Sequence, residues 1–252
     1  MGDRILVLGA DGFVEHRLTS SLLAHGERPI AVSRQPFHHD LAGAELIVAD
    51  ITAPEQIAPL LERTHTMVYL ASRSSPGTSA GKPVEELQNN LLPFLTLLQA
   101  FQRKPQVNLF YLSSGGSLYT VDTEDPATEA GVVQPRSYHG AAKVAAEYFI
   151  SAWSRQYNGH ATVLRPSNLH GPGQMEKTGF GIVPACFGKF FARNRYLSGE
   201  MVPMCATISI SMTSLNFASK RSETRCRSVY GYSMHPAARV RASTNCSTLL
   251  KL

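Results

Sequence analysis

The four cysteines, Cys186, Cys205, Cys226 and Cys246, include no C-x-x-C pair. That spacing excludes a zinc knuckle and a dithiol redox motif, and reduced, unpaired thiols are the expected state. Long hydrophobic runs are also missing. The apolar segment at residues 5–8 is far too short for a bilayer, which takes about 20 residues, and no basic stretch introduces it as in a secretory signal. A soluble, cytoplasmic protein is expected. No second ligand pair at helical spacing accompanies His38, His39 and Asp40. These three residues therefore read as a solvated loop, and no metal is expected. Charge is sparse, at 17% against 43% hydrophobic residues over 252 positions. That is globular composition, sufficient for one large core or a core with a smaller lobe.

The net charge of +5 hides an uneven distribution. From Lys189 onward ten basic residues face two acidic ones, giving +8, so residues 1–188 carry −3. A basic tail is one signature of nucleic-acid binding. This one lacks a helical stripe and interleaved aromatics, and nucleic acid is the least favoured partner.

Up to Phe187 short apolar segments alternate with longer amphipathic ones. Strands are expected at residues 5–8, 30–33, 46–48, 67–70, 109–113 and 162–165, and helices at 13–25, 54–62, 84–101 and 141–157. Parallel neighbours need crossovers of this size, so the pattern predicts a doubly wound, Rossmann-type α/β sheet. After Lys189 no sustained period of two or 3.6 continues. The chain therefore divides into a Rossmann domain at 1–188 and an atypical basic tail at 189–252.

The first expected strand runs into Gly9-Ala10-Asp11-Gly12-Phe13-Val14-Glu15. Gly9 permits a sharp turn, and Gly12 permits a pyrophosphate to approach the start of the following helix. The third glycine of G-x-x-G-x-x-G is missing, and Glu15 brings bulk and a carboxylate to a place where helix and strand pack closely. The second strand ends at Ser33-Arg34, a pair suited to the 2′-phosphate of NADP or, equally, to an exposed strand end. Asp50 reads either as an adenine contact or as a loop acid.

Residues 5–18, 67–75, 109–119, 137–147 and 164–173, in this order, resemble the extended short-chain dehydrogenase/reductase group. Within it the resemblance is to the NAD-dependent epimerase/dehydratase family that includes UDP-glucose 4-epimerases. It implies NAD or NADP as cofactor, a nucleotide-sugar substrate, cofactor contacts at Gly9, Gly12, Phe13, Ser33, Arg34, Asp50, Ala71, Asn90, Lys143 and Pro166, and dimerisation through helices 84–101 and 141–157.

The family's chemistry rests on Y-x-x-x-K, whose lysine holds the ribose and lowers the phenol pKa while the phenolate takes a sugar-hydroxyl proton. Here the segment is Ser137-Tyr138-His139-Gly140-Ala141-Ala142-Lys143. Lys143 matches, His139 stands at the tyrosine position, and Tyr138 is one residue, or about 100° of helix, out of place. His139 is the candidate substitute base, with an unperturbed pKa of about 6.5, but its imidazole is shorter than a phenol and needs its own positioning, so an impaired site is the expectation. The family's Ser/Thr falls to Ser114 or Ser117, since glycine holds the usual position. In Arg165-Pro166-Ser167-Asn168-Leu169-His170, His170 replaces a usual aromatic.

The family's later motif, similar to W-G-D-G-S-x-V-R-D-Y-x-Y-V-D-D, is absent from residues 189–252 as written. Back-translated and read two bases later, Lys189 onward permits I-L-R-A-E-P-L-P-V-W-G-D-G-S-D-V-R-D-Y-L-Y-I-D-D. The second and third bases of these shifted codons are largely fixed by the residues given. A frame break near Lys189–Phe191 is therefore expected. The first expectation is an NAD(P)-dependent nucleotide-sugar epimerase or dehydratase, impaired in this chain. The alternatives are a non-catalytic NAD(P)-binding module and a nucleic-acid binder acting through its tail.

Overall fold

The computed structural model describes residues 4–9, 12–38, 41–119, 131–166 and 169, with the strand backbones 208–213 and 231–232. Several residues singled out in the sequence lie outside this set: His39, Asp40, Ser167, Asn168, His170, the four cysteines and the basic residues from Lys189 on.

Six parallel strands form the sheet: β1 (Arg4–Leu8), β2 (Ile30–Ser33), β3 (Glu45–Val48), β4 (Thr64–Tyr69), β5 (Asn108–Leu112) and β6 (Ala161–Pro166). Their spatial order, β3-β2-β1-β4-β5-β6, reverses beside β1, and the crevice at such a switch point is where doubly wound folds bind ligands. The helices are α1 (Phe13–Ala24), α2 (Pro54–Leu61), α3 (Pro83–Glu86), α4 (Leu92–Phe101), α5 (Gly115–Leu118) and α6 (Tyr138–Tyr157).

Strand alternation builds a core on both sides of the sheet. Leu6, Leu8, Ile30, Val32, Met67, Tyr69, Leu109 and Tyr111 belong to one cluster with Ile57, Phe94, Phe101, Ile150 and Trp153. Val7, Ala31 and Val68 belong to the other, with Leu18 and Leu22 of α1.

Two differences from the sequence expectation have physical causes. The helix expected over 84–101 is interrupted by a π-helical turn at Leu87–Leu91. Pro93 lacks an N–H and would crowd the carbonyl four residues back, and a widened turn relieves that conflict. Helix α6 starts three residues before the expected Ala141 because the Ser137 hydroxyl caps it, accepting the Gly140 N–H at 3.0 Å. In the tail, where no sustained period is expected, the backbone forms β7 (Ile208–Thr213), antiparallel to β6, and β8 (Gly231–Tyr232), antiparallel to β7.

Candidate active site

The turn after β1 is set by backbone sterics. Gly9 has φ +93°, its N–H donates to the Val32 carbonyl at 2.9 Å, and an added Cβ would lie 2.8 Å from the N and Cα of Ala71. Only glycine allows β1 and β4 to release the chain so close together. Gly12 then begins α1 with no side-chain cap. A Cβ there would collide with the Glu15 carboxylate, which folds back over the glycine from the first turn of the helix. A cleft of about 230 Å³ opens at this place, lined by Gly9, Gly12, Glu15, Ser33, Arg34, Ala71, Arg73 and Asn90 among others.

The sequence-derived contacts divide around this cleft. Phe13 opens α1 and is half-buried, outside the described lining. Ser33 is 6% exposed and its hydroxyl accepts the Gln35 N–H at 3.2 Å, closing its own turn, while Arg34 is exposed at the cleft edge. Asp50 accepts the Thr52 N–H at 2.9 Å. That bond, with the Thr52 hydroxyl and the charges of Arg73 and Arg34, holds its carboxyl below the usual range. Asp50 thus closes a loop, and its neighbour Ile51 lines the cleft.

Next to the cleft, α6 buries His139, Lys143, Ala146, Glu147 and Ile150, the i, i+4, i+7, i+8, i+11 stripe that faces the sheet. Tyr138 is 45% exposed, one residue off that stripe. Lys143 Nζ donates to the Leu112 carbonyl at 2.8 Å and stands 4.8 Å from the centre of the Tyr111 ring. Burial lowers its pKa to about 8, partly opposed by the negative charges of Glu86, Glu15 and Glu147. His139 is 7% exposed, and burial, reinforced by the Lys143 charge, lowers its pKa to about 4. The imidazole is therefore neutral at pH 7.

His139 is held from outside its own helix. Its Nδ1 lies 2.9 Å from Ser74 Oγ and 3.7 Å from Glu86 Oε1, and its backbone N–H donates to Ser79 Oγ at 3.2 Å. Asn90, in the π turn, accepts the Arg73 N–H at 2.7 Å. That bond directs its amide nitrogen to Ser74 Oγ and Glu86 Oε1, both at 3.0 Å. Glu86 is 4% exposed, and its Oε2 has no hydrogen-bond partner among the described residues. Ser114 Oγ donates to Ser117 Oγ at 3.0 Å, and an added Cβ on Gly140 would come within 2.5 Å of the Ser117 carbonyl oxygen. Gly140 thus lets this serine turn press against the start of α6. Pro166 ends β6, its carbonyl beside Gly115.

Below this lies a buried ion pair. Arg165 Nη2 meets Glu147 Oε2 at 2.5 Å, and its Nε donates to both carboxylate oxygens at 3.1 Å. Ser113 Oγ donates to Glu147 Oε1 and Arg165 Nη1 to the Tyr119 hydroxyl, each at 2.5 Å. The sequence reading named neither Glu86, Ser74, Ser79 and Arg73 nor the Glu147–Arg165 pair. An acid in the first turn of a helix, as Glu86 is beside Glu85, carries no spacing signal, and the serines read as turn formers. Among the described residues there is no cluster of three potential metal ligands and no helix long and apolar enough to cross a membrane.

Comparison with known proteins identifies the family. The model of the NAD dependent epimerase/dehydratase family matches residues 5–203. A UDP-glucose 4-epimerase of Mycolicibacterium smegmatis is 28% identical over 189 residues, covering 71% of this chain and 60% of that protein. A dTDP-glucose 4,6-dehydratase of Mycobacterium tuberculosis is 28% identical over 182 residues, covering 68% of this chain and 55% of that one. The crystal structure of Thermus thermophilus UDP-glucose 4-epimerase in complex with NAD is similar at a TM-score of 0.63 and 27% identity, over 68% of this chain and 57% of that one. The chain thus spans only a little over half the length of the relatives it matches.

Proposed function

We propose, from the premise that the chain belongs to the NAD dependent epimerase/dehydratase family, that it carries the cofactor half of a nucleotide-sugar epimerase or dehydratase whose chemical step is impaired. One observation carries this reading: Lys143 and His139 stand one turn apart on the buried face of α6, beside the serine turn and the glycine cleft.

When bound, the dinucleotide supplies the hydride acceptor and donor. The backbone of the turn fits such a group, because Gly9 and Ala71 bring β1 and β4 together at the start of α1. The Glu15 side chain does not fit, since its carboxylate covers Gly12. Lys143 is the residue that would hold the ribose, and Arg34 at the cleft edge suits a 2′-phosphate, which keeps NADP beside NAD. His139 stands where the family has a phenol. A buried imidazole with pKa about 4 is a weak base toward a sugar hydroxyl, and Tyr138 is turned away from the buried stripe. Ser114 and Ser117, on the turn that presses against Gly140, are read as the hydroxyls that would serve the sugar.

The expected result is no detectable conversion when the chain is incubated with NAD and UDP-glucose or dTDP-glucose and the products are separated by chromatography. His139→Tyr alone gives no recovery. A rate like that of a full-length relative overturns the reading. The weak base also favours a second reading, a non-catalytic NAD(P)-binding module, for which cofactor titration is the test. The tail is read as out of frame from about Lys189, and DNA across codons 185–215 whose shifted codons fail to spell the missing motif refutes this. Exposed Val84, Leu87, Leu92, Tyr148 and Phe149 on α3, the π turn, α4 and α6 support a homodimer through these helices.

A further inference from the structure

We propose that the Glu15 carboxylate is a tethered occupant of the phosphate cradle, so that the cleft admits a nucleoside freely and a dinucleotide only when Glu15 swings out. This inference rests on the dinucleotide reading of the cleft given above.

Glu15 sits in the first turn of α1, where backbone N–H groups lack helical partners and the helix dipole favours negative charge. Gly12 offers no side chain to satisfy them. The carboxylate returns over Gly12 and fills the space that the glycine leaves open. A pyrophosphate seeks the same donors, the same positive field and the same open face of Gly12. The two anions cannot share this place.

The remaining cleft has a different character. Ser33, Arg34, Ile51 and Arg73 lie toward the ends of β2, β3 and β4, and nothing in their chemistry excludes an uncharged nucleoside. At the other side, the negative charge of Glu15 acts on Lys143. Moving Glu15 outward therefore removes a favourable partner from a buried ammonium as well as from the helix start. The dinucleotide must displace both interactions.

The test is calorimetric titration of the full chain and its Glu15→Gly and Glu15→Gln variants with NAD and, separately, adenosine. Glu15→Gly is expected to bind NAD more tightly than the unaltered chain by on the order of 10- to 100-fold, the size of one like charge roughly 5 Å from a phosphate at an effective dielectric of about 25 to 50. Glu15→Gln keeps the bulk, loses the charge and recovers part of that gain. Adenosine binds all three equally. Equal NAD affinity in the unaltered chain and Glu15→Gly overturns the proposal, and so does a failure of both variants to gain NAD binding. If adenosine is also refused by all three, the dinucleotide reading falls with it. If adenosine is bound, that reading stands and only the role of Glu15 is lost.

Discussion

Replacing Arg165 by methionine should cost about 3–5 kcal/mol of stability, the penalty for leaving a buried charge without its partner. Arg165 is 9% exposed and Glu147 6%. The guanidinium supplies three of the four hydrogen bonds that reach the Glu147 carboxylate among the described residues, and Ser113 supplies the fourth. Arg165→Met therefore strands a carboxylate on one hydroxyl and removes the donor to Tyr119. Glu147→Leu strands the guanidinium at similar cost. The double variant buries two apolar side chains with no uncompensated charge, and it should be more stable than either single one. The assay is urea unfolding followed by the fluorescence of Trp153, the single tryptophan, which is 3% exposed and packs edge-on against Phe101 at 5.8 Å. With a slope of about 2 kcal/mol per M, a loss of 4 kcal/mol moves the midpoint by about 2 M. A single-variant cost below about 1 kcal/mol, or a double variant that simply sums the two singles, would refute the argument.

Two further predictions concern backbone and protonation. Gly9→Ala should cost about 2–5 kcal/mol, combining left-handed strain with overpacking against Ala71. Gly26→Ala, with φ +83° and open space around it, should cost only about 1–2 kcal/mol. Urea midpoints separate the two, and equal costs would remove the steric argument for the turn. The depressed pKa of His139 makes the unfolded chain the stronger proton binder, so stability is complete above about pH 6.5 and is lost as pH falls toward 4. The loss from this group is about 3 kcal/mol, read as the difference between the pH profiles of the unaltered chain and His139→Gln. Parallel profiles would contradict it.

The strands of the Rossmann sheet were legible because each is a short apolar run closed by a turn, and period and length suffice to place such runs. Gly9 was legible for a similar reason: a positive φ and a close strand crossing leave glycine little competition. The interruption of the 84–101 helix was less so, although Pro93 marks it. Periodicity registers one continuous apolar face whether the turn is α or π. The setting of His139 was not legible. Its partners Ser74, Ser79 and Glu86 come from two other segments that only the folded sheet brings to α6, and no spacing in the chain announces that convergence. Glu15 was visible as a departure from the glycine pattern. That its carboxylate lies back over Gly12 is a rotamer fact, beyond the reach of sequence.

The central claim is that the family's phenol position holds a buried, neutral imidazole beside Lys143. Its most direct test is a pH titration of the protein labelled with 15N at histidine, observed by NMR and assigned to His139 by comparison with His139→Gln. The account predicts a midpoint near 4, well below the ordinary value of about 6.5. A midpoint at or above that ordinary value would mean that His139 is solvated or stabilised as a cation, and the site described would be wrong.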